Sequence, residues 1–428
     1  MPDRPNIVML ITHDTGRHVS PYGVDTVDTP NCQRLADQSV RMANSFCPTP
    51  LCSPSRAAIV TGRYPHSNGV MGLTHADFAW DLNDDETPIA QLLGQGGYAT
   101  WLMTGQHEAR DVSKLGFDVI DANHALSDFP RHFLPVLDAH DDERPFYCQI
   151  GGFETHRAWD ADGTEPDDSK GIYVPPYLHD GPETRAELAQ FQGMVKRFDT
   201  ALGQILDVLD QRGLTENTIL VLTTDHGIAM PRAKSTLYDP GIETMLFMRY
   251  PGHWAAGGVC DDLVSHVDIL PTLLSAVGVD VPDRVQGRSF LPALAGRGEY
   301  TPREEVFAEK TFHSRYDPMR AIRTGRFKYI RCFEKIALPE VPSDIRHFGA
   351  DRELGRRLCY QRPMAELLDL RADPNETKNL AGEETFSDVE RELKSRLAQW
   401  MLDTADPLLD GPVASPYYRR AMTEMFGQ

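Results

Sequence analysis

A chain of 428 residues, 41% of them apolar and 25% charged, can bury a large core and is too hydrophobic to stay disordered. A formal net charge of −20 without any Lys/Arg-rich block argues against nucleic acid as a partner. No apolar run approaches the roughly 18 residues of a membrane span, so no membrane association is expected.

The N-terminal Met1-Pro2-Asp3-Arg4-Pro5 runs straight into a strand-length apolar segment too short for a secretory h-region, so no signal peptide is expected. The seven cysteines are scattered, odd in number and free of any CxxC pair, which suits a reduced, cytoplasmic protein. In chain order, runs at Asn6–Thr12, 100–103, Phe146–Gly151, 219–223 and 245–248 are almost wholly apolar. That pattern fits strands buried on both faces of a parallel sheet. The clearest helix has Leu188, Phe191, Val195, Phe198, Leu202, Ile205 and Leu209 at steps of three and four, with Gly213 as its expected C-cap. Alternating strands and helices predict an α/β sandwich with a mostly parallel central sheet and helices on both faces. Loops at the strand C-termini carry the site in such sheets, which puts Asp14, His107, His156 and Asp225 on one rim.

Beyond about residue 300 the texture changes. Residues 306–309 and 320–331 read as short strands, and Arg326-Phe327-Lys328-Tyr329-Ile330-Arg331 alternates as a half-exposed antiparallel sheet does. Val389, Leu393, Leu397 and Trp400 mark an amphipathic helix that would cover it. The expected division is a catalytic α/β domain over 1–300 and a smaller C-terminal α+β subdomain and tail over 301–428. The tail, Ser415 to Phe426, holds two tyrosines, two methionines and a phenylalanine. Packing on its own subunit and reaching a second copy in a homodimer are equally weighted.

The most informative segment is Cys52-Ser53-Pro54-Ser55-Arg56-Ala57-Ala58-Ile59-Val60-Thr61-Gly62-Arg63. Ser53 can N-cap a helix, Pro54 suits its first position and Gly62 can end it. Cys52 then lies beside unpaired helix N–H groups, where an anion is stabilised, with Arg56 one turn in. Further strings are Thr224-Asp225-His226-Gly227, Thr236-Leu237-Tyr238, Glu366-Leu367-Leu368-Asp369-Leu370 and Asp373-Pro374-Asn375-Glu376-Thr377-Lys378-Asn379-Leu380.

On these motifs the chain resembles the sulfatase family, and looks closest to its heparan N-sulfatase (sulfamidase) branch. The resemblance implies an alkaline-phosphatase-like sandwich and conversion of Cys52 to formylglycine by a maturation enzyme. One hydroxyl of the hydrated aldehyde would attack sulfur, and the other would expel sulfate as the hemiacetal collapses. His13, Asp14, the modified Cys52, Asp225 and His226 would hold one divalent metal. Calcium is the family's ion, but two imidazoles tilt the set toward manganese or zinc. By the same resemblance Arg56 stabilises charge, His107 is the base that releases sulfate, His156 meets the leaving group and Lys234 contacts the sulfate.

Two positions depart from the family pattern. His13 replaces the first of two aspartates, and Gly105 stands where a lysine is common, so one sulfate-binding cation is missing unless Arg157, Arg63 or another group replaces it. Phosphonate monoester hydrolase relatives also lack that lysine and carry Asp-His at the second metal position. The expected activity is hydrolysis of a small sulfate ester (arylsulfatase-like) or sulfamate. The alternatives are a phosphonate monoester or phosphodiester hydrolase, and a non-catalytic sulfated-sugar binder should Cys52 stay unmodified.

Overall fold

The expected apolar runs all become strands: Asn6–Thr12 and Phe146–Gly151 keep their bounds, two others grow by one residue at each end, and the last is shifted by one residue to Leu246–Arg249. In the computed structural model, which describes residues 4–140, 143–160, 163–336, 340–346, 348–354 and 362–427, nine strands form one mixed sheet. They are β1 (Asn6–Thr12), β2 (Val40–Phe46), β3 (Ala99–Thr104), β4 (Val119–Ala122), β5 (Phe146–Gly151), β6 (Thr218–Thr224), β7 (Glu243–Thr244), β8 (Leu246–Arg249) and β9 (Gly258–Ser265). The order is β4-β3-β5-β1-β6-β8-β2-β7, with β9 beside β2. The run β4-β3-β5-β1-β6 is parallel throughout, while β8 lies antiparallel to β6.

Period-two alternation splits β1 between two cores. Val8 and Leu10 pack with helices Pro30–Ala36, Phe129–Asp138 and Pro182–Gln211. Ile7, Met9 and Ile11 pack with helices Cys52–Thr61, Ile89–Gln95 and Ile269–Ala276 on the other face. This is the expected α/β sandwich. The helix through Leu188 to Leu209 ends at Gln211, with Arg212 as its cap and Gly213 following at φ 67°.

The C-terminal part forms a second, antiparallel sheet of β10 (Glu305–Phe312), β11 (Tyr316–Thr324), β12 (Phe327–Cys332) and β13 (Ala365–Asp369), in that order. One face packs on Phe46, Cys47, Leu237 and Leu263 of the larger part. The other is covered by helix Ser387–Asp403 through Leu393, Leu397 and Trp400, as the spacing predicts. The sheet is therefore not half-exposed. Lys328, on the polar side of the alternation, is fully buried, and its Nζ lies 2.6 Å from both Asp239 and Glu376. A buried charge is tolerated there because it is paired on two sides. Among the described residues, no helix is long and apolar enough to cross a membrane. Cys32, Cys47, Cys52, Cys148, Cys260 and Cys332 are free thiols, and Cys359 lies outside the described residues.

Candidate active site

Four adjacent parallel strands, β3, β5, β1 and β6, end on one rim, and the loops that follow carry His107, His156, His13-Asp14 and Asp225-His226. Asp14 has left-handed backbone geometry, φ 47°, which aims its N–H at Asp225 Oδ1, 2.9 Å away. The His226 N–H donates to the same oxygen at 2.9 Å. An aspartate in that conformation is uncommon and is held by these bonds. Gly227 follows because a Cβ there would fall 1.8 Å from the Pro240 carbonyl oxygen.

Asp225 Oδ2 faces His13 Nδ1 at 2.9 Å and Arg56 Nε at 3.2 Å. His226 Nε2 lies 3.1 Å from Asp14 Oδ1 and 3.3 Å from Cys52 Sγ. Cys52 is the first residue of its helix, and its Sγ is 3.8 Å from Asp14 Oδ1. The N-cap is Leu51, which has no capping side chain, and not Ser53 as expected. Ser53 Oγ is instead paired with Thr74 Oγ1 at 3.2 Å, so the first-turn N–H groups are not capped by a side chain. Gly62 closes the helix in the expected left-handed conformation.

Lys234 Nζ bridges Asp14 Oδ2 at 2.8 Å and Asp344 Oδ2 at 2.7 Å. The His156 Nδ1–H donates to the Arg157 carbonyl, leaving Nε2 as its basic nitrogen, and the ring stands edge-on to His13 with centroids 5.2 Å apart. His107 Nε2 is 2.8 Å from His75 Nδ1, and its Nδ1 is buried without a hydrogen-bond partner.

Burial and neighbouring charge fix the ionisation states. Burial works to raise both metal-site carboxyls. The charges of Lys234 and His226 on Asp14, and of His13, His226 and Arg56 on Asp225, outweigh it and hold both well below the usual carboxylate range. Burial likewise opposes charge on Lys234, yet Asp14, Cys52 and Asp344 hold its ammonium well above the usual value. His13 is pushed down by burial and then by Arg56, and His107 well down by burial, then His13 and Arg56. Burial pushes the Cys52 thiol well up.

This chemistry suits a divalent cation. Ligand atoms of His13, Asp14, Cys52 and Asp225 all lie within 4.8 Å of one another, with His226 against two of them. Neither nitrogen of the buried His13 makes a hydrogen bond, although Nδ1 faces two carboxylates. An imidazole and two carboxylates whose donor atoms converge in this way form a metal-binding donor set.

The structure brings together His13, Asp14, Cys52, Arg56, His107, His156, Asp225, His226 and Lys234, but neither proposed substitute for the missing lysine is free. Arg63 sits at the far end of the helix on Glu86, 2.6 Å away. Arg157 is paired with Glu187 and donates to the Ala229 carbonyl from Nε and Nη2. The sequence reading missed four neighbours: His75, Glu108 beneath Arg56, Phe153 over His13, and Asp344 on Lys234. Phe153 and Glu108 sit in loops already flagged. Asp344 comes from the C-terminal part, and no local motif announces it.

A sequence model described as Sulfatase matches residues 5–279, and one described as N-sulphoglucosamine sulphohydrolase, C-terminal, matches residues 232–347. The N-sulphoglucosamine sulphohydrolase of Homo sapiens is 27% identical over 467 residues, covering 95% of this chain and 92% of its own length. An ulvan-active sulfatase of Formosa agariphila is 27% identical over 461 residues, covering 95% of this chain and 76% of its own. A solved structure described as in complex with its substrate D-glucosamine-2-N,6-O-disulfate superposes with a TM-score of 0.76 at 20% identity, covering 96% of this chain and 99% of that one. A phosphonate monoester hydrolase of Agrobacterium radiobacter gives 0.73 at 19% identity, covering 95% and 97%. At such identities these two structures speak to the fold alone.

Proposed function

The chain belongs to the sulfatase family, and from that premise we propose that it hydrolyses a small sulfate ester or sulfamate. Its named relatives are sulfatases and sulfohydrolases, which supports a sulfuric ester hydrolase. The observation that carries the proposal is the convergence of Cys52 with His13, Asp14, Asp225 and His226. Residues 211 apart in sequence share a hydrogen bond there, and Cys52 Sγ touches the imidazole of His226.

A formylglycine made from Cys52 and one divalent cation, when present, supply the hydrated-aldehyde nucleophile and the positive charge facing the sulfate oxygens. His13, Asp14, Asp225, His226 and the modified Cys52 would hold the cation, and the two imidazoles would favour manganese or zinc over the oxygen-seeking calcium. Arg56 fixes Asp225 through Nε, and its Nη2 donates to the Ile11 and Thr12 carbonyls, so the metal side of the site is rigid. Lys234 orients Asp14 and offers its ammonium to a sulfate oxygen. His156, when protonated on both nitrogens, delivers the Nε2 proton to the leaving oxygen or nitrogen and keeps Nδ1–H on the Arg157 carbonyl. His107 takes one at Nδ1, the nitrogen that His75 leaves unoccupied.

The net charge of −20 favours a small monosulfated substrate over a polysulfated chain. A maturation enzyme is the required partner. A second reading, phosphonate monoester or phosphodiester hydrolysis, is favoured by one observation: Gly105 contributes no cation, while His226 joins the metal ligands. A third, sulfated-sugar binding without turnover, applies to protein that keeps the Cys52 thiol.

The test combines mass spectrometry of the Cys52 peptide, metal analysis, and turnover of phenyl sulfate, a glucosamine N-sulfate and a phenyl phosphonate monoester. Formylglycine, about one bound metal and turnover of a sulfated substrate support the proposal. Preferential phosphonate turnover supports the second reading, and formylglycine-bearing, metal-loaded protein inert to all three overturns both.

A further inference from the structure

We infer that Phe153 is a specificity-determining residue of this site, presenting a flat apolar face on which the substrate's leaving group rests. The inference rests on the hydrolase reading above and asks what holds the part of the substrate that is not the anion.

Phe153 lies two residues past the end of β5, and 41% of it is exposed. Its ring centroid is 4.4 Å from that of His13 and 6.5 Å from that of His107, and the Arg56 guanidinium carbon lies 5.6 Å from it. Among the described residues, it is the one exposed large apolar side chain in ring contact with both histidines. The ring thus stands beside both His107, the proposed sulfate-releasing base, and the metal ligand His13, and part of it remains open.

Gly105 makes this placement possible. A Cβ at position 105 would stand 2.5 Å from Phe153 Cε2 and 3.1 Å from Cδ2, the first closer than carbon atoms can approach. Glycine at 105 and the phenylalanine ring therefore belong together: the space that a side chain at 105 would take is filled by the aromatic ring. Lys234 and the metal ligands already serve the anionic end of the substrate. An apolar ring among buried charges adds nothing to that end, but it stacks on an aryl ring or on the C–H face of a pyranose. Both leaving groups present the same chemistry, and the substrate panel separates them.

The experiment measures kcat/KM of metal-loaded, formylglycine-bearing enzyme on phenyl sulfate, a glucosamine N-sulfate and methyl sulfate. Phe153→Leu keeps an apolar side chain of similar bulk but removes the flat face. The phenyl-to-methyl or the glucosamine-to-methyl ratio is expected to fall about tenfold, mainly through KM. A fall confined to phenyl identifies an aryl leaving group, and one that includes glucosamine identifies the sugar face. Gly105→Ala should lower the same ratio by dislodging the ring. Added to Phe153→Ala it should cost nothing further, because there is no ring left to displace. Unchanged ratios, or a parallel fall on all three substrates, would mean that the ring only packs over His13 and Arg56, and would overturn the inference. Should only phosphonate monoesters be turned over, the sulfate reading fails, and the phenyl-to-methyl ratio is taken on those esters instead. Should nothing be turned over, the ratio is read from the Kd of phenyl and methyl sulfate for the Cys52→Ala protein.

Discussion

Arg56 and Arg320 are both completely buried, yet they are treated in opposite ways. Arg320, on β11, forks onto Asp406 with Nε and Nη2 at 2.5 and 3.0 Å, and its Nη1 donates to the Lys310 and Met319 carbonyls and to Thr311 Oγ1. All three of its nitrogens are satisfied. Arg56 bonds through Nε and Nη2, but its Nη1 has no hydrogen bond, the nearest carboxylate oxygen being that of Glu108 at 3.7 Å. His13 and His107 beside it have orphaned nitrogens as well. Buried polar groups are normally paired, so a cluster of unpaired ones around two ionised aspartates is a place built to receive something else. Around Arg320 the charges staple the C-terminal segment to the second sheet; around Arg56 they wait for ligands.

The comparison is broken most directly at the nucleophile and the metal. Cys52→Ala and Asp225→Ala should each lower kcat/KM by about 10⁴-fold or more, with far-ultraviolet circular dichroism unchanged for Cys52→Ala. Asp225→Ala should also lose bound metal, measured by plasma mass spectrometry. Retained metal and turnover in Asp225→Ala would show that the cluster around Arg56 is as structural as the one around Arg320.

Next in size is the staple itself. Arg320→Met leaves Asp406 buried and unpaired and should cost about 3–5 kcal/mol in urea unfolding, while the turnover of the remaining folded protein stays unchanged. A variant as stable as the parent would remove the distinction between the two arginines.

A third test uses His18, buried near Phe191 with ring centroids 5.0 Å apart. Burial lowers its imidazole from 6.5 to about 4. Above pH 6.5 the ring is neutral in both folded and unfolded chains and has no effect on stability. As pH falls from 6.5 toward 4 the unfolded chain takes up the proton first, so stability drops, by about 3 kcal/mol over that window. His18→Phe should flatten the acid limb of stability against pH over that window, read by urea midpoints; an unchanged limb would assign the acid sensitivity elsewhere.

Much of this was legible in the sequence, for identifiable reasons. Runs such as Asn6–Thr12 are apolar at every position but their ends, which only a strand buried on both faces requires, and the residues just after four of them are the site. The helix from Leu188 to Leu209 was readable because its apolar spacing is unbroken over six turns. Lys328 was misread because alternation reports that two faces differ, not that one meets water. Its polar face meets Asp239 and Glu376 instead. Ser53 was misread because a capping residue type was present, but its hydroxyl found Thr74. Asp344 and His75 were invisible because both reach the site through tertiary packing, from loops whose own sequence has no periodicity or motif.

The smallest effect is expected at the C-terminus, and it sharpens the contrast with Arg320. The chain is pinned at Asp406 and then runs through 407–410 into the helix Pro416–Phe426, in which no residue is buried. Ser415 caps that helix by accepting from the Tyr418 N–H at 3.1 Å, and one polar tie to the body is Arg420 Nη2 donating to the Asp77 carbonyl at 3.3 Å. Tyr417, Met425 and Phe426 are 66%, 74% and 62% exposed. Packing on its own subunit, one of the two sequence expectations, therefore accounts for little of this apolar surface, and the other, contact with a second copy in a homodimer, remains our proposal. Truncation after Asp410 keeps the Arg320 staple and should change the unfolding free energy of the subunit by less than about 1 kcal/mol. Light scattering should show a dimer for the full chain and a monomer for the truncated one. A full-length protein that is already monomeric at micromolar concentration would end the dimer proposal. A truncation costing several kcal/mol would mean that the helix stabilises its own subunit in the way Asp406 does.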